Sequence, residues 1–432
     1  MTQTPPTHDT ANAETNARAD AAPHRRTSRV KRFLPRALLG AFVILLLAQI
    51  PFIYRRFELR ALHRSLQAMH AKRTPITDAT FREYVGVAHV HTSLGGHSTG
   101  TPAEVIKAAQ SNKLDFVVMT EHTENDFDTA AMTLSGTHGN VLFLPGNETQ
   151  TADGSRFLVI PGAPTTGEAG QISTGDFTRR ERAAGRAAFA AYPDDFKQWD
   201  AAEIDGIEIY NLFTNARRAS PITLFFDSLW SLGGGYPELI FTRFYERPTN
   251  ALARWDTLAA RKDTPLAAIA GNDAHANVGA HLRLASGERL IGVQLDPYER
   301  SFQIVRMRVL LPADEQLTSE TLLAALRTGR SFIAFDVFGD ASGFRFTATN
   351  GAETRTMGEQ IALTNETSLR VRVPVESRVV LFKNGERMDE ARGAEVKFDA
   401  RQAGAYRVEV YLDGITLLAD KPWIISTHIR VK

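Results

Sequence analysis

The sequence predicts a mixed α/β body that follows an apolar helix and precedes a small C-terminal β-sandwich. Three observations lead there. Ala37 to Tyr54 is uncharged and dominated by Leu, Ile, Val, Phe and Ala. Between Tyr84 and His275, apolar runs of strand length repeatedly end in histidine or carboxylate. From Ser331 onward the apolar runs are short and separated by turn residues.

Composition sets the outer bounds. With 432 residues, 43% hydrophobic and 23% charged, the chain is globular and long enough for more than one core. Lys+Arg 50 against Asp+Glu 49 gives a charge of +1, so no basic field advertises nucleic acid and none is expected as a partner. Cys 0 removes disulfides, thiolate ligands and cysteine nucleophiles together. Any metal must be held by His and carboxylate.

Residues 1–36 read as a disordered basic tail: Thr, Ala, Asn and Pro to about residue 24, then Arg25, Arg26, Arg29, Lys31, Arg32 and Arg36. Residues 37–54 approach the ~20 residues that a helix needs to cross the hydrocarbon core. Basic clusters flank this stretch, and Ala48-Gln49-Ile50 is a poor cleavage site, so an uncleaved signal anchor is expected. The denser N-side cluster puts the tail in the cytoplasm. The expected location is a single pass in the inner membrane, with the bulk facing the periplasm or exterior. Over residues 55–79, Phe57, Leu59, Leu62, Leu66 and Met69 have helical spacing, read as a juxtamembrane stalk with His63 and His70 as surface histidines.

The body is expected over residues 80–312. Tyr84 to Ala88 is an apolar run followed by His89-Val90-His91, whose alternate side chains share a face in an extended chain. His97 follows in a Gly-rich loop. Thr101, Pro102 and Glu104 then supply the N-cap, N1 and N3 of a helix to about Asn112. Asp115 to Thr120 reads as a strand buried on both faces and runs directly into Glu121-His122. The pattern recurs: Val141–Leu144 before Glu148, Ile204–Tyr210 carrying Glu208, and Leu266–Ala270 before Asp273 and His275. Polar chemistry at the C-terminal ends of strands is where α/β folds place their sites. Arg179–Ala190 and Asn250–Arg261 read as helices, Ile160–Thr178 as a long loop, and Ser231–Pro237 as a turn-rich insertion.

His89-Val-His91-Thr, Thr120-Glu-His122, Gly146-Asn-Glu148 and Gly271-Asn-Asp273-Ala-His275, in this order, resemble the PHP (polymerase and histidinol phosphatase) family over roughly Thr80 to Val309. The resemblance implies a distorted (β/α)7 barrel that binds divalent Zn, Mn or Fe and hydrolyses phosphoesters. Carried over, His89, His91, Glu148 and Asp273 hold one ion. His97, His122 and His275 hold a second, and Glu148 bridges toward a third position with Glu208 as a further ligand. Tyr192, in Ala191-Tyr192-Pro193, stands where the family has His-Pro. With an ordinary pKa of about 10 it is a poor ligand, so two ions per chain are expected, or three if that position is filled. Asp273, His275 and Glu148 form the expected catalytic core. Arg243 is the expected phosphate partner, with Arg283 as alternative; each could equally be a surface salt-bridge residue.

After Pro312 the chain is expected to form a second domain over residues 313–432. Ser319–Thr328 reads as a helix ended by Gly329, and Asn384-Gly385 as a hairpin turn between short strands. The expected function is metal-dependent hydrolysis of a phosphomonoester or phosphodiester. The substrate is a phosphorylated small molecule or a lipid or glycan head group. A degenerate barrel acting as a scaffold, and a metal-dependent acyl or amide hydrolase, stay open.

Overall fold

The computed structural model describes residues 27–432 except 75, 77, 164–168, 232–235, 265, 278, 284–288 and 295. The tail expected before residue 25 lies outside the described residues. The chain divides into two compact units, the first ending at Ile53 and the second running from Tyr54 to Lys432.

In the first unit, helix α1 (Thr27–Leu47) begins ahead of Ala37 and takes in part of the basic cluster. Leu34–His70 contains a window long and apolar enough to cross a membrane, none of it buried. Helix α2 (Ile50–His70) carries the chain into the second unit. Leu59, Leu62 and Leu66 recur at helical spacing and are buried in the main core, so this helix is packed along one face. The surface assignment of two histidines is corrected there. His63 stacks on Tyr236 with ring centroids 3.7 Å apart, and His70 Nε2 donates to the Phe338 carbonyl at 2.7 Å.

The second unit is a mixed α/β fold built on one large sheet. Its first ten strands are β1 (Phe81–Val90), β2 (Phe116–Met119), β3 (Glu121–His122), β4 (Gly136–His138), β5 (Val141–Leu144), β6 (Asn147–Gln150), β7 (Arg156–Ile160), β8 (Ala187–Ala191), β9 (Gly206–Asn211) and β10 (Ala267–Ala274). β1 lies parallel to β2 on one side and to β10 on the other. β2 pairs in parallel with β5, and β3 with β6. The ladder continues antiparallel through β7 to β8, then parallel through β9 to β10, and so returns to β1. β2 and β5 are buried at every position, as parallel strands covered on both faces require.

Helix α3 (Pro102–Ser111) starts with the expected capping box, Thr101 and Glu104 each satisfying the other's backbone N–H. A short α4 (Thr129–Met132) follows. The helix expected over Arg179–Ala190 is instead α5 (Thr174–Ala183), with Ala187–Ala191 forming β8. Gly185, at φ 75°, turns the chain out of the helix, and the small alanines fit a strand with no exposed position. Then come α6 (Leu212–Arg218), α7 (Pro221–Ser231), α8 (Thr249–Arg261) and α9 (Tyr298–Ile304). Residues 232–235 of the expected insertion lie outside the described residues.

The C-terminal strands join the same sheet. Arg306–Pro312 pairs antiparallel with the first half of β1, and Ser331–Ala334 pairs with Arg306–Val309. No gap in the sheet therefore falls at residue 312. Ser368–Lys383 is one long strand, and Asn384 and Gly385, at φ 52° and 90°, form the expected tight hairpin turn. Arg407, fully buried, donates to both carboxylate oxygens of Asp256 on α8 at 2.7 and 2.8 Å and to Glu409 at 2.7 Å.

Candidate metal centre

The ends of β1, β3, β6 and β10 converge. His89, His91, Glu148 and Asp273, all buried, each present one ligand atom within 4.8 Å of the others. His91, His122 and His275 form a second such group, so His91 is common to both. The geometry is close: His89 Nε2 lies 3.0 Å and His91 Nε2 3.3 Å from Glu148 Oε2, and both lie within 3.5 Å of Asp273 Oδ1. The ring of His91 stacks between His122 and His275, with centroids 4.6 and 4.4 Å away.

Three site residues have left-handed backbone: His89 at φ 62°, Tyr192 at φ 48° and Asp273 at φ 48°. Such strain in non-glycine residues costs on the order of 1–3 kcal/mol each, and it persists where the surroundings over-determine it. The surroundings are specific. Tyr298 Oη donates to the His91 carbonyl at 2.6 Å, and Ser98 Oγ donates to the His275 carbonyl at 2.5 Å. Glu121, fully buried, accepts from the backbone and side chain of Thr92 and from Thr133, tying down the turn after β1. Gly271 is required beside Asp273, because a Cβ there would strike Glu208 and His89.

Second contacts fix which ligand atoms are free. His89 Nδ1 donates to Glu208 Oε1 at 2.6 Å, and His275 Nδ1 donates to the Asp273 carbonyl at 2.8 Å. Each leaves Nε2 for a metal, the usual outer support of an imidazole ligand. Asp273 Oδ2 accepts from Tyr192 Oη at 3.0 Å and from Asn211 Nδ2 at 3.1 Å. Asp273 Oδ1 and both ring nitrogens of His91 are buried with no hydrogen-bond partner. Orphaned buried polar atoms cost about 1–3 kcal/mol each, and a divalent cation between them removes that cost. The donor set, imidazole and carboxylate without thiolate, suits such an ion.

Electrostatics agree. Burial, reinforced by the neighbouring imidazoles, pushes His122 down to about 3 and His275 to about 4, so both imidazoles are neutral at neutral pH. Burial opposes charge on His89, but Glu208, Asp273 and Glu148 around it win and raise its pKa. Glu148 and Asp273 are held below the ordinary carboxylate range, their burial outweighed by His89 and His91. Burial beside Asp273 keeps the Tyr192 phenol protonated.

Three expected roles change. Glu208 belongs to neither ligand group; it stands behind His89 as a positioning residue. His97 is at the exposed rim, its ring centroid 4.6 Å from that of His122, and belongs to neither group. Arg243 is not at the site: its guanidinium pairs with Glu58 on α2 at 2.8 Å. The side chain of Arg283 lies outside the described residues. The arginines lining the metal cavity, of about 510 Å³, are Arg156 and Arg217. Arg156 Nη1 lies 3.5 Å from Glu148 Oε1. Neither arginine sits in a motif. The one available signal for Arg156 is its place opposite Gln150 in the β6–β7 hairpin.

No family model matches the sequence, and no curated protein matches it. Solved structures do. The crystal structure of PsfC from Pseudomonas syringae PB-5123 is 15% identical, with 59% of this chain and 92% of that chain covered at a TM-score of 0.37. A two-domain protein from Bacteroides vulgatus, containing a predicted PHP-like metal-dependent phosphoesterase, is 14% identical, with 82% and 97% covered at a TM-score of 0.37.

Proposed function

We propose that the chain is a membrane-anchored, PHP-type phosphoesterase that uses divalent metal ions. The observation that carries this is the buried His89–His91–Glu148–Asp273 group with its orphaned atoms. His89, His91, Glu148 and Asp273 would hold one ion, and His122 and His275, with His97 beside them, a second. A bound pair would supply an activated water and neutralise charge on a phosphoryl group. The chain's own residues do the rest. Arg156 and Arg217 face the cavity with charge for phosphoryl oxygens, and Tyr192 and Asn211 hold Asp273 in place. Glu208 keeps His89 in one tautomer.

In this reading the closed ladder from β1 to β10 is the distorted seven-stranded barrel, with β2–β3 and β5–β6 each counted as one interrupted strand. The C-terminal strands act as a β-sandwich packed on it. The apolar window in Leu34–His70 anchors the protein in the inner membrane, with the site facing the periplasm or exterior.

A panel of phosphomonoesters, phosphodiesters and acyl esters tests the reading on metal-reconstituted full chain. Phosphoester turnover that is lost with chelator and restored by metal is expected. Turnover of acyl esters alone would replace it with the acyl-hydrolase reading, and no turnover by metal-loaded protein would favour a scaffold.

A further inference from the structure

A second cavity, of about 420 Å³, lies beside the metal centre; Leu224, Phe225, Ile240 and Phe241 form its apolar wall, and Glu238 and Arg300 belong to its polar remainder. The two cavities share Phe213, Arg217 and Asp273, so they meet at the metal centre. The outer wall is α7. On it Ile222, Phe225 and Leu229, at i, i+3 and i+7, are 69%, 54% and 49% exposed and form one apolar stripe. Phe225 belongs to both stripe and cavity. Single exposed apolar residues are ordinary, but a stripe at the mouth of an apolar cavity marks a binding surface.

The same helix is tied to the start of α2. Arg55 Nη1 donates to Asp227 at 3.2 Å, and Arg55 is the first charged residue after the apolar stretch ending at Tyr54. The hydroxyls of a sugar phosphate or nucleotide find no partner on the Leu224, Phe225, Ile240 and Phe241 side chains. An alkyl chain has no such demand.

We propose that the substrate is a phosphoester of an apolar-tailed alcohol. The tail fills the cavity between α6 and α7, and the phosphoryl group sits at the metal centre beside Arg217. Hydrolysis breaks the ester P–O bond; water gives its oxygen to phosphorus and a proton to the departing alkoxide, releasing the apolar alcohol. This rests on the phosphoesterase reading above.

The test uses full-length protein in phosphatidylcholine nanodiscs and a dodecyl phosphate carrying a terminal diazirine. Each methylene removed from water multiplies affinity about fourfold, so even a partly buried tail should bind at least about a hundredfold more tightly than ethyl phosphate. Photolabel should map to residues 212–244, be competed by dodecyl phosphate but not ethyl phosphate, and fall at least about tenfold in Ala216→Trp, which fills the cavity. Label confined to α1, or equal in Ala216→Trp, overturns the proposal. A parallel assay compares ethyl and dodecyl phosphate hydrolysis. Equal turnover of both, unchanged in Ala216→Trp, sinks the tail proposal and leaves the phosphoesterase standing. Label in the cavity with no hydrolysis of either ester would instead remove the phosphoesterase and keep the apolar-tail site.

Discussion

Glu208 and His89 form a fully buried pair 2.6 Å apart, with Glu208 on the far side of the imidazole from Glu148. The carboxylate on Nδ1 settles which nitrogen of His89 is free. Glu208→Gln keeps the shape but replaces a charged acceptor with a neutral amide. Metal affinity, measured by competition with a chelator, should fall about 10- to 100-fold while the fold stays intact. An unchanged affinity would mean that Glu208 serves only packing.

Gly271 touches no ion in this account, yet it determines whether the pair fits. Gly271→Ala places a methyl group against Glu208 and His89. We expect loss of metal content together with a lower Tm, despite every ligand being present. Wild-type metal content in a folded variant would show that the strand end has slack.

Much of this centre was legible in the sequence, and the reason is local. H-x-H at a strand end and Asp-x-His beyond another are short-range patterns that show in the sequence, while the left-handed backbone at His89 and Asp273 is held by the surrounding fold. The capping box of α3 and the Asn384-Gly385 turn are equally local. What failed needs distant partners. Glu208 looks like a ligand until His89 stands in front of it, and Arg243 looks like a phosphate partner until Glu58 of α2 claims it. Ala187–Ala191 has helical propensity and becomes a strand between β7 and β9 because tertiary pairing outweighs propensity.

The Arg407–Asp256 pair joins the C-terminal strands to α8 with no exposure on either partner to speak of. Arg407→Met leaves Asp256 buried with His428 alone beside it, while Glu409 keeps Arg247. We expect a loss of about 3–5 kcal/mol in denaturant unfolding. The double variant Arg407→Met/Asp256→Leu should recover part of it; recovery of none would place the pair's role elsewhere.

Acid should act through Asp340. Burial alone would raise its carboxyl, but Arg308 and Ser342 hold it at about 2. A depressed carboxylate pKa contributes stability that is present above the unfolded value of about 4 and lost as pH falls toward 2. Melting temperature should therefore decline through that window, and Asp340→Asn should flatten the decline. An equally steep decline in the variant would assign the acid sensitivity to other carboxylates.

The central claim is that the buried imidazoles and carboxylates at these strand ends hold divalent metal. Elemental analysis of purified full-length protein, after reconstitution and desalting, tests it most directly. The account predicts close to two equivalents of divalent metal for the wild type and about one for Asp273→Ala and for His91→Ala, each of which removes a ligand of the His89–His91–Glu148–Asp273 group. No stoichiometric metal in the wild type, or two equivalents retained by His91→Ala, would contradict it.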